Sequence, residues 1–224
     1  MSKYLKAFTP DKEALAELGA SVRERLDADP DVYCITKDLA ELYVVGDFLS
    51  ADECTKLMAM IDQTARPSTL FKETQRDDYR TSYSGDMDQG ASMIRMLDRR
   101  LSDLLGIDDA WGERAQGQRY DPGQQYKEHC DFFHTELGYW KREKERGGQR
   151  SWTAMVYLND VEEGGETEFP LLEMAITPKQ GAVLIWNNAH PDGTPNKNTL
   201  HAALPVIKGR KYVVTKWFRT RIWN

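Results

Sequence analysis

The segment "SWTAMVYLND" (residues 151–160) is short, rich in β-branched and aromatic residues, and ends in Asn159 and Asp160, as is typical of a β-strand that leads into a turn. Segments of the same texture continue along the C-terminal half: "QGQRY" (116–120), "YKEHCDFF" (126–133), "GAVLIWN" (181–187), "TLHAALPV" (199–206) and "KYVVTKWFRTR" (211–221). Turn-forming motifs separate them: "DPG" (121–123), "EEGGE" (162–166), "TPKQG" (177–181), "HPDGTPN" (190–196) and "IKGR" (207–210). This alternation predicts a β sandwich or barrel.

The N-terminal half instead contains segments in which apolar residues recur at helical spacing. Residues 11–27 place apolar side chains at helical spacing, and Asp11 is expected to cap that helix. After a predicted strand at 42–45, a second helix should begin behind Ser50, with Glu53 completing a capping box. A third helix is expected over about 90–105.

Two polar segments interrupt this pattern. The stretch from 66 to 90 is predicted to be a long loop with one strand at most, and loops of that length often have a function. The basic segment "YWKREKERGGQR" (139–150) is expected to be a solvated loop or a helical excursion.

The division into a supporting region (1–113) and a β domain (114–224) follows from the change of texture, and 224 residues favour a single structural unit. A net charge of −6 gives no reason to expect nucleic-acid or membrane binding. The sequence has no apolar run of transmembrane length, and its first residues lack the apolar region of a signal peptide. Three cysteines suit a reducing compartment, so a cytoplasmic location is expected. The oligomeric state is left open.

The octet 126–133 contains a candidate metal site. On a strand, residues two apart point to the same face, so His129 and Asp131 would project together while Cys130 faces away and serves packing. An H-x-D pair alone is better explained by a polar pair on a surface strand. Among the other histidines, His201 is the preferred third ligand because it opens an otherwise apolar strand, where a buried polar group needs a partner.

Two histidines and one carboxylate form the facial triad of non-haem Fe(II) oxygenases, which leaves positions on the metal open for other molecules. The same ligand types also bind zinc in hydrolytic sites. The three residues therefore do not decide the metal by themselves.

Lys211 begins a strand on which Val213, Thr215, Trp217 and Arg219 would share its face. A lysine on an inner face needs an anionic partner, and with Thr215 nearby it would suit a carboxylate ligand. In the alternative register Lys211 faces outward and Tyr212 and Val214 face the interior.

Several segments in order resemble the prolyl 4-hydroxylase family: "QRYDPGQQYKEHCDFF", "GGQRSWTAMVYLNDVEEGGETEFP", "KQGAVLIWNN" and "HPDGTPNKNTLHAALPVIKGRKYVVTKW". The resemblance covers about residues 114–220, with a shorter match at "YRTS" (79–82). It implies an α+β fold with a mainly β core, a double-stranded β-helix (jelly roll, cupin-like) carrying N-terminal packing helices. It also implies an Fe(II)- and 2-oxoglutarate-dependent dioxygenase.

The resemblance assigns roles to single residues. His129, Asp131 and His201 match the iron ligands, and Lys211 matches the residue that pairs with the distal carboxylate of 2-oxoglutarate. The remaining implied residues are Tyr120, Thr167 and Thr215 for the co-substrate and Tyr126, Arg150, Trp217 and Arg219 for the peptidyl-proline site. Arg219 departs from the family pattern, because related enzymes have a histidine at the matching position.

The implied reaction hydroxylates a prolyl residue of a protein or peptide with O₂, and converts 2-oxoglutarate to succinate and CO₂. L-Ascorbate is implied as an auxiliary. Three alternatives stay open at this point: the same chemistry on a free amino acid or other small molecule, a non-catalytic cupin-like metal-binding module, and a zinc hydrolase.

Overall fold

Two antiparallel sheets contribute side chains to one interior. The computed structural model describes residues 11–69 and 78–224. The larger sheet has eight strands in the spatial order β1 (Val32–Thr36), β2 (Leu42–Val45), β11 (Val183–Asn187), β7 (Arg150–Tyr157), β14 (Lys211–Arg219), β5 (Gln116–Tyr120), β4 (Tyr83–Asp86) and β3 (Arg66–Pro67). The smaller sheet has the order β10 (Met174–Ile176), β9 (Thr167–Phe169), β12 (His201–Ala203) and β6 (Tyr126–His129). A further pair joins β8 (Glu163–Gly164) to β13 (Val206–Lys208).

Strand β7 shows how the large sheet is buried on both faces. Trp152, Ala154 and Val156 belong to one apolar cluster, with residues of the N-terminal helices. Met155 and Tyr157 belong to a second cluster, which also contains Phe169 of the small sheet. Alternate side chains of this strand therefore pack into two different hydrophobic cores, which explains why its sequence is almost continuously apolar.

Three N-terminal helices, α1 (Lys12–Ala28), α2 (Ala51–Thr64) and α3 (Ser92–Leu105), cover the outer face of the larger sheet. The predicted capping box of α2 is confirmed, because Ser50 and Glu53 exchange side-chain and backbone hydrogen bonds. The third helix begins two residues later than predicted and ends at Gly106, whose φ of 67° favours glycine.

Asp11 occupies the N-cap position of α1, as predicted, but its side chain makes no capping hydrogen bond. The carboxylate accepts hydrogen bonds from the Gln149 backbone (2.7 Å), the Thr220 hydroxyl (3.2 Å) and Arg221 (2.7 Å). Donors at residues 149, 220 and 221 thus bind the carboxylate in place of the first backbone N–H groups of the helix.

The N-terminal region adds strands as well as helices. Strand β2 lies where the sequence predicts it and pairs with β11, whereas β1 has no counterpart in the prediction. The stretch from 66 to 90 contains the two short strands β3 and β4, and β4 pairs with β5. Its residues 70–77 lie outside the described residues, as do residues 1–10.

The basic segment forms the short helix α4 (Trp140–Glu145), so the helical alternative is confirmed. Trp140 and Glu143 are buried, which makes α4 part of the packed structure. In the described parts of the chain, none of the helices combines the length and apolarity needed to cross a bilayer.

Candidate active site

His129, Asp131 and His201 meet inside the smaller sheet. His129 ends β6, His201 begins β12, and the two residues are direct partners in the antiparallel pairing. Asp131 follows β6 and places its carboxylate 3.9 Å from the Nε2 atom of each histidine. One potential ligand atom from each residue lies within 4.8 Å of the other two. The three side chains can therefore share one metal ion.

Both imidazoles are held in the same way by the backbone. Nδ1 of His129 lies 2.9 Å from the carbonyl oxygen of Lys127, and Nδ1 of His201 lies 2.9 Å from that of Thr199. A carbonyl only accepts, so each Nδ1 carries the proton and each Nε2 has a free lone pair. Burial, followed by the neighbouring His201, lowers the pKa of His129 to about 3, so its ring is neutral.

Asp131 is fixed by a short polar relay. Asn188 donates from Nδ2 to the Thr153 hydroxyl oxygen (2.9 Å), and Thr153 donates to the Asp131 carboxylate (2.8 Å). Burial alone would raise the pKa of Asp131, but the charge of Arg150 and the hydrogen bond from Thr153 oppose this effect, and the pKa of the carboxyl lies below its usual range. The sequence-based prediction missed Thr153 and Asn188, although inward alternation along 151–160 marks Thr153 as an interior polar residue.

A cavity of about 1030 Å³ surrounds the three residues. Of the residues that the sequence implicates, it is lined by Tyr120, Tyr126, His129, Asp131, Arg150, Thr167, His201, Lys211, Thr215 and Trp217. The inward register of β14 is thus confirmed over Lys211–Trp217. The alternation predicted for 130–133 is wrong, because β6 ends at His129 and both Cys130 and Phe132 border the cavity.

Lys211 supplies a buried positive charge at one end of the cavity. Its side chain is 1% exposed, and its Nζ lies 3.3 Å from the Thr167 hydroxyl and 5.6 Å from the ring centres of Tyr120 and Tyr157. In the described ranges, no carboxylate forms an ion pair with it. Burial therefore lowers the pKa of Lys211 to about 7, because it removes water from around the charged amine. A bound carboxylate would compensate for this loss of hydration.

Hydroxyl groups complete this end of the cavity. Tyr157 donates to Thr167 (2.8 Å), and Gln118 links Tyr120 to Thr215 by accepting from the tyrosine (2.7 Å) and donating to the threonine (3.1 Å). The sequence-based prediction missed Tyr157 and Gln118, although Tyr157 shares the inward alternation of Thr153 along 151–160.

Another part of the cavity wall is aromatic and cationic. Tyr126 stacks on His129 with ring centres 3.6 Å apart, and Arg80 lies 4.7 Å from the centre of the Tyr126 ring. Arg150 forms a two-pronged ion pair with Glu113 (2.6 and 2.8 Å) and covers the Trp217 ring at 4.1 Å. These planar groups form a wall beside the candidate metal ligands.

Arg219 does not have the position that substrate contact requires. Its side chain is fully buried, it is absent from the cavity wall, and its guanidinium is bound by Glu113 and Glu143. The pairing of β14 with β7 shifts register between Trp217 and Arg219 and places Arg219 opposite Arg150. The Arg219 guanidinium lies over the ring of Phe133, next to lining residues and not in the cavity itself. The prediction that Arg219 contacts substrate is therefore corrected.

The donor set fits a metal ion and a dicarboxylate. Two imidazoles whose Nε2 atoms face the carboxylate of Asp131 suit Fe(II) as ligands. In the described part of the chain, these three residues are the group of potential ligands found at this site. The unpaired Lys211 beside two hydroxyl groups suits the far carboxylate of 2-oxoglutarate.

Comparisons with known proteins agree with this geometry. The profile described as the 2OG-Fe(II) oxygenase superfamily matches residues 115–219. A probable prolyl 4-hydroxylase 3 of Arabidopsis thaliana is 30% identical over 241 residues, which cover 97% of this chain and 79% of the relative.

Solved structures extend the comparison to the fold. The viral collagen prolyl hydroxylase of Paramecium Bursaria Chlorella virus-1, solved as a 2OG complex, superposes with a TM-score of 0.63 and 29% identity over 80% of this chain and 95% of its own. A prolyl hydroxylase of Trichoplax adhaerens, in complex with a hypoxia inducible factor peptide fragment, has a TM-score of 0.61 at 15% identity, covering 94% of this chain and 96% of its own. The latter supports the fold alone, which is the double-stranded β-helix. The chain belongs to the prolyl 4-hydroxylase family of 2OG-Fe(II) dioxygenases.

Proposed function

We propose that this enzyme hydroxylates prolyl residues in a protein or peptide, with Fe(II) as cofactor and O₂ and 2-oxoglutarate as co-substrates. Coupled decarboxylation would release succinate and CO₂. The observation that carries the proposal is the convergence of His129, Asp131 and His201 in a cavity that also contains the unpaired Lys211.

His129, Asp131 and His201 would hold the iron, which with O₂ and 2-oxoglutarate supplies the oxidising power of the reaction. The chain itself would orient and enclose the reactants. The Nδ1 anchors keep both imidazoles turned inward, and Lys211 with Thr167 and Thr215 would bind the distal carboxylate of 2-oxoglutarate. Tyr120 would add a further hydrogen bond to the co-substrate, because its hydroxyl lies in the same buried network.

The aromatic and cationic wall favours a peptide substrate over a small one. Trp217, which Arg150 covers on one face, would offer its other face to a pyrrolidine ring, and Arg150 would offer guanidinium donors to peptide carbonyl groups. Tyr126, whose ring is contacted by His129 and Arg80, would contact the peptide with its edge. A cavity of about 1030 Å³ has room for such a chain beside the co-substrate.

The decisive experiment incubates the Fe(II)-loaded enzyme with 2-oxoglutarate and either proline-rich peptides or free L-proline, and measures succinate and the mass of the product. We expect a mass increase of one oxygen on the peptide and matching succinate. Hydroxylation of free proline in preference to peptide would move the assignment to the small-molecule alternative. The absence of succinate with every substrate would support a non-catalytic module.

Two finer properties follow from the same family membership. L-Ascorbate would act as an auxiliary that sustains repeated turnover, and a progress curve that is unchanged without ascorbate would refute this role. A cytoplasmic location is supported by three free cysteines, Cys34, Cys54 and Cys130, none of which is paired in the described chain. Cell fractionation with an antibody to the protein tests it.

The domain assignment also stays a proposal, with residues 1–113 as support and 114–224 as the dioxygenase domain of one structural unit. It is supported by the larger sheet, in which strands of the N-terminal region flank the four C-terminal strands on both sides.

A further inference from the structure

Two arginines face each other directly across neighbouring strands at the substrate end of the cavity. Arg219 of β14 and Arg150 of β7 are direct partners in the antiparallel pairing. Like charges in this arrangement repel each other, and both guanidinium groups are largely withdrawn from water. The arrangement therefore requires anionic groups that bind both arginines.

Glu113 lies between the two arginines and binds both. Its Oε1 accepts from Nε of Arg150 (2.6 Å) and from Nη1 of Arg219 (2.7 Å), while its Oε2 accepts from Nη2 of Arg150 (2.8 Å). Because the carboxylate is held from both sides, its direction is fixed, and with it the direction of the Arg150 fork.

Arg219 is itself anchored in helix α4. Its Nη2 donates to the Glu143 carboxylate (3.1 Å) and to the Glu143 carbonyl oxygen (2.9 Å). Both arginines also lie over the ring of Phe133, at 4.5 Å for Arg219 and 4.8 Å for Arg150. The basic segment that interrupts the strands is thus connected to the cavity wall through one buried side chain.

We propose that Arg219 is a positioning residue, which fixes Glu113 and Arg150 in the cavity wall by bridging them to Glu143 of α4. This inference rests on the proposed function for its kinetic consequences. Arg219 would affect the affinity for a peptide without contacting the peptide. It would not affect the affinity for 2-oxoglutarate, because Lys211 and Thr167 lie on other parts of the wall.

The chain offers a matched control for this proposal. Lys216, on the same strand, is also a buried cation, but it points the other way and binds Asp98 of α3 (2.7 Å) and Asp109 (2.6 Å). Arg219→Gln and Lys216→Gln each remove one buried positive charge from β14. Only the first removes a neighbour of the cavity wall.

The kinetic test compares the two Fe(II)-loaded variants with the wild type. For Arg219→Gln we expect the KM for peptide to rise roughly tenfold, as small misplacements of positioning groups commonly do, and succinate to exceed hydroxylated product. The KM for 2-oxoglutarate should stay within twofold. Lys216→Gln should lower the thermal midpoint and leave both KM values within twofold. An equal rise in peptide KM in both variants, or no rise in Arg219→Gln, would overturn the proposal.

A second measurement separates this inference from the proposed function. In ¹⁵N NMR of the full chain, the Arg150 Nε–H should be protected from exchange with water in the wild type and in Lys216→Gln, and unprotected in Arg219→Gln. Unchanged protection in Arg219→Gln refutes the positioning role even if no peptide is ever hydroxylated. Should Arg219→Gln fail to fold, Arg219→Lys serves instead: lysine keeps the charge but lacks the planar fork whose separate nitrogens bind Glu113 and Glu143, so a smaller change in the same direction is expected.

Discussion

The His129 and His201 rings lie with their centres 4.2 Å apart, and each donates from Nδ1 to the carbonyl oxygen two residues before it. The antiparallel pairing of β6 with β12 produces this symmetry, because it sets the two residues directly opposite each other. The same local hydrogen bond on each strand thus turns both Nε2 atoms toward Asp131. Backbone register determines the donor geometry here.

The first prediction concerns the three candidate ligands. Replacing His129 or Asp131 by Ala should abolish succinate formation, because a metal held by two remaining donors is bound weakly. Iron content after anaerobic loading and dialysis should fall together with activity. His190→Ala is the control, since His190 lies outside the cavity wall. Full activity in either ligand variant would exclude the assigned metal site.

The second prediction concerns the hydroxyl group that holds Asp131. Thr153→Val keeps the shape of the side chain and removes the 2.8 Å hydrogen bond to the carboxylate. We expect the affinity for Fe(II) to fall by roughly 10- to 100-fold, the usual effect of losing a group that orients a metal ligand. Thr220→Val also removes a buried hydroxyl, one that binds Asp11, and should leave iron affinity unchanged. Equal iron affinities in the two variants would contradict this account.

The third prediction follows from the depressed pKa of Lys211, about 7. The folded protein binds fewer protons than the unfolded chain between that value and the ordinary lysine pKa, so the stability of the ligand-free protein should rise with pH across this window. Affinity for 2-oxoglutarate should change in the opposite direction, because the dicarboxylate needs the charged amine.

Calorimetric titrations at pH 6.5 and pH 8.5 test this relationship, with tighter binding expected at the lower pH. Lys211→Met should remove the pH dependence and weaken binding at both values. A steeper dependence in the variant than in the wild type would show that another group titrates.

The fourth prediction concerns Asp11 and the segment that follows the candidate metal ligands. Asp11 binds the Gln149 backbone, and the Gln149 side chain in turn holds both the backbone nitrogen (2.6 Å) and the carbonyl oxygen (2.9 Å) of Phe133. Asp11→Ala leaves these donors and Arg221 without their acceptor. We expect a loss of about 3 kcal/mol in the free energy of unfolding by urea, and a much smaller loss for the exposed Glu13→Ala.

Sequence reasoning found what local patterns encode. The capping box at Ser50 and Glu53 and the strand at 42–45 follow from residue spacing, and the structure agrees with both. Spacing left the inward face of β14 open, whereas the family resemblance assigned Lys211 to the co-substrate, and the structure places Lys211 in the cavity wall. The grouping of His201 with His129 rested on the search for a polar residue in an apolar strand. The structure brings these two side chains together with Asp131.

The remaining features depend on contacts between distant segments. Asp11 makes no capping hydrogen bond because donors around residues 149 and 221 bind its carboxylate instead. Arg219 lies outside the cavity because Glu113 and Glu143 bind its guanidinium. Binding partners that are distant in the chain leave no trace in composition or periodicity.

The position of β11 in the larger sheet has a practical consequence for dissecting this chain. All five of its side chains are buried, and β2 from the N-terminal region covers one of its long edges. A fragment starting near residue 114 would expose that flat, apolar edge, and it would also uncover β5 by removing β4. Such edges recruit strands from other molecules, so the fragment should aggregate rather than yield a minimal catalytic unit.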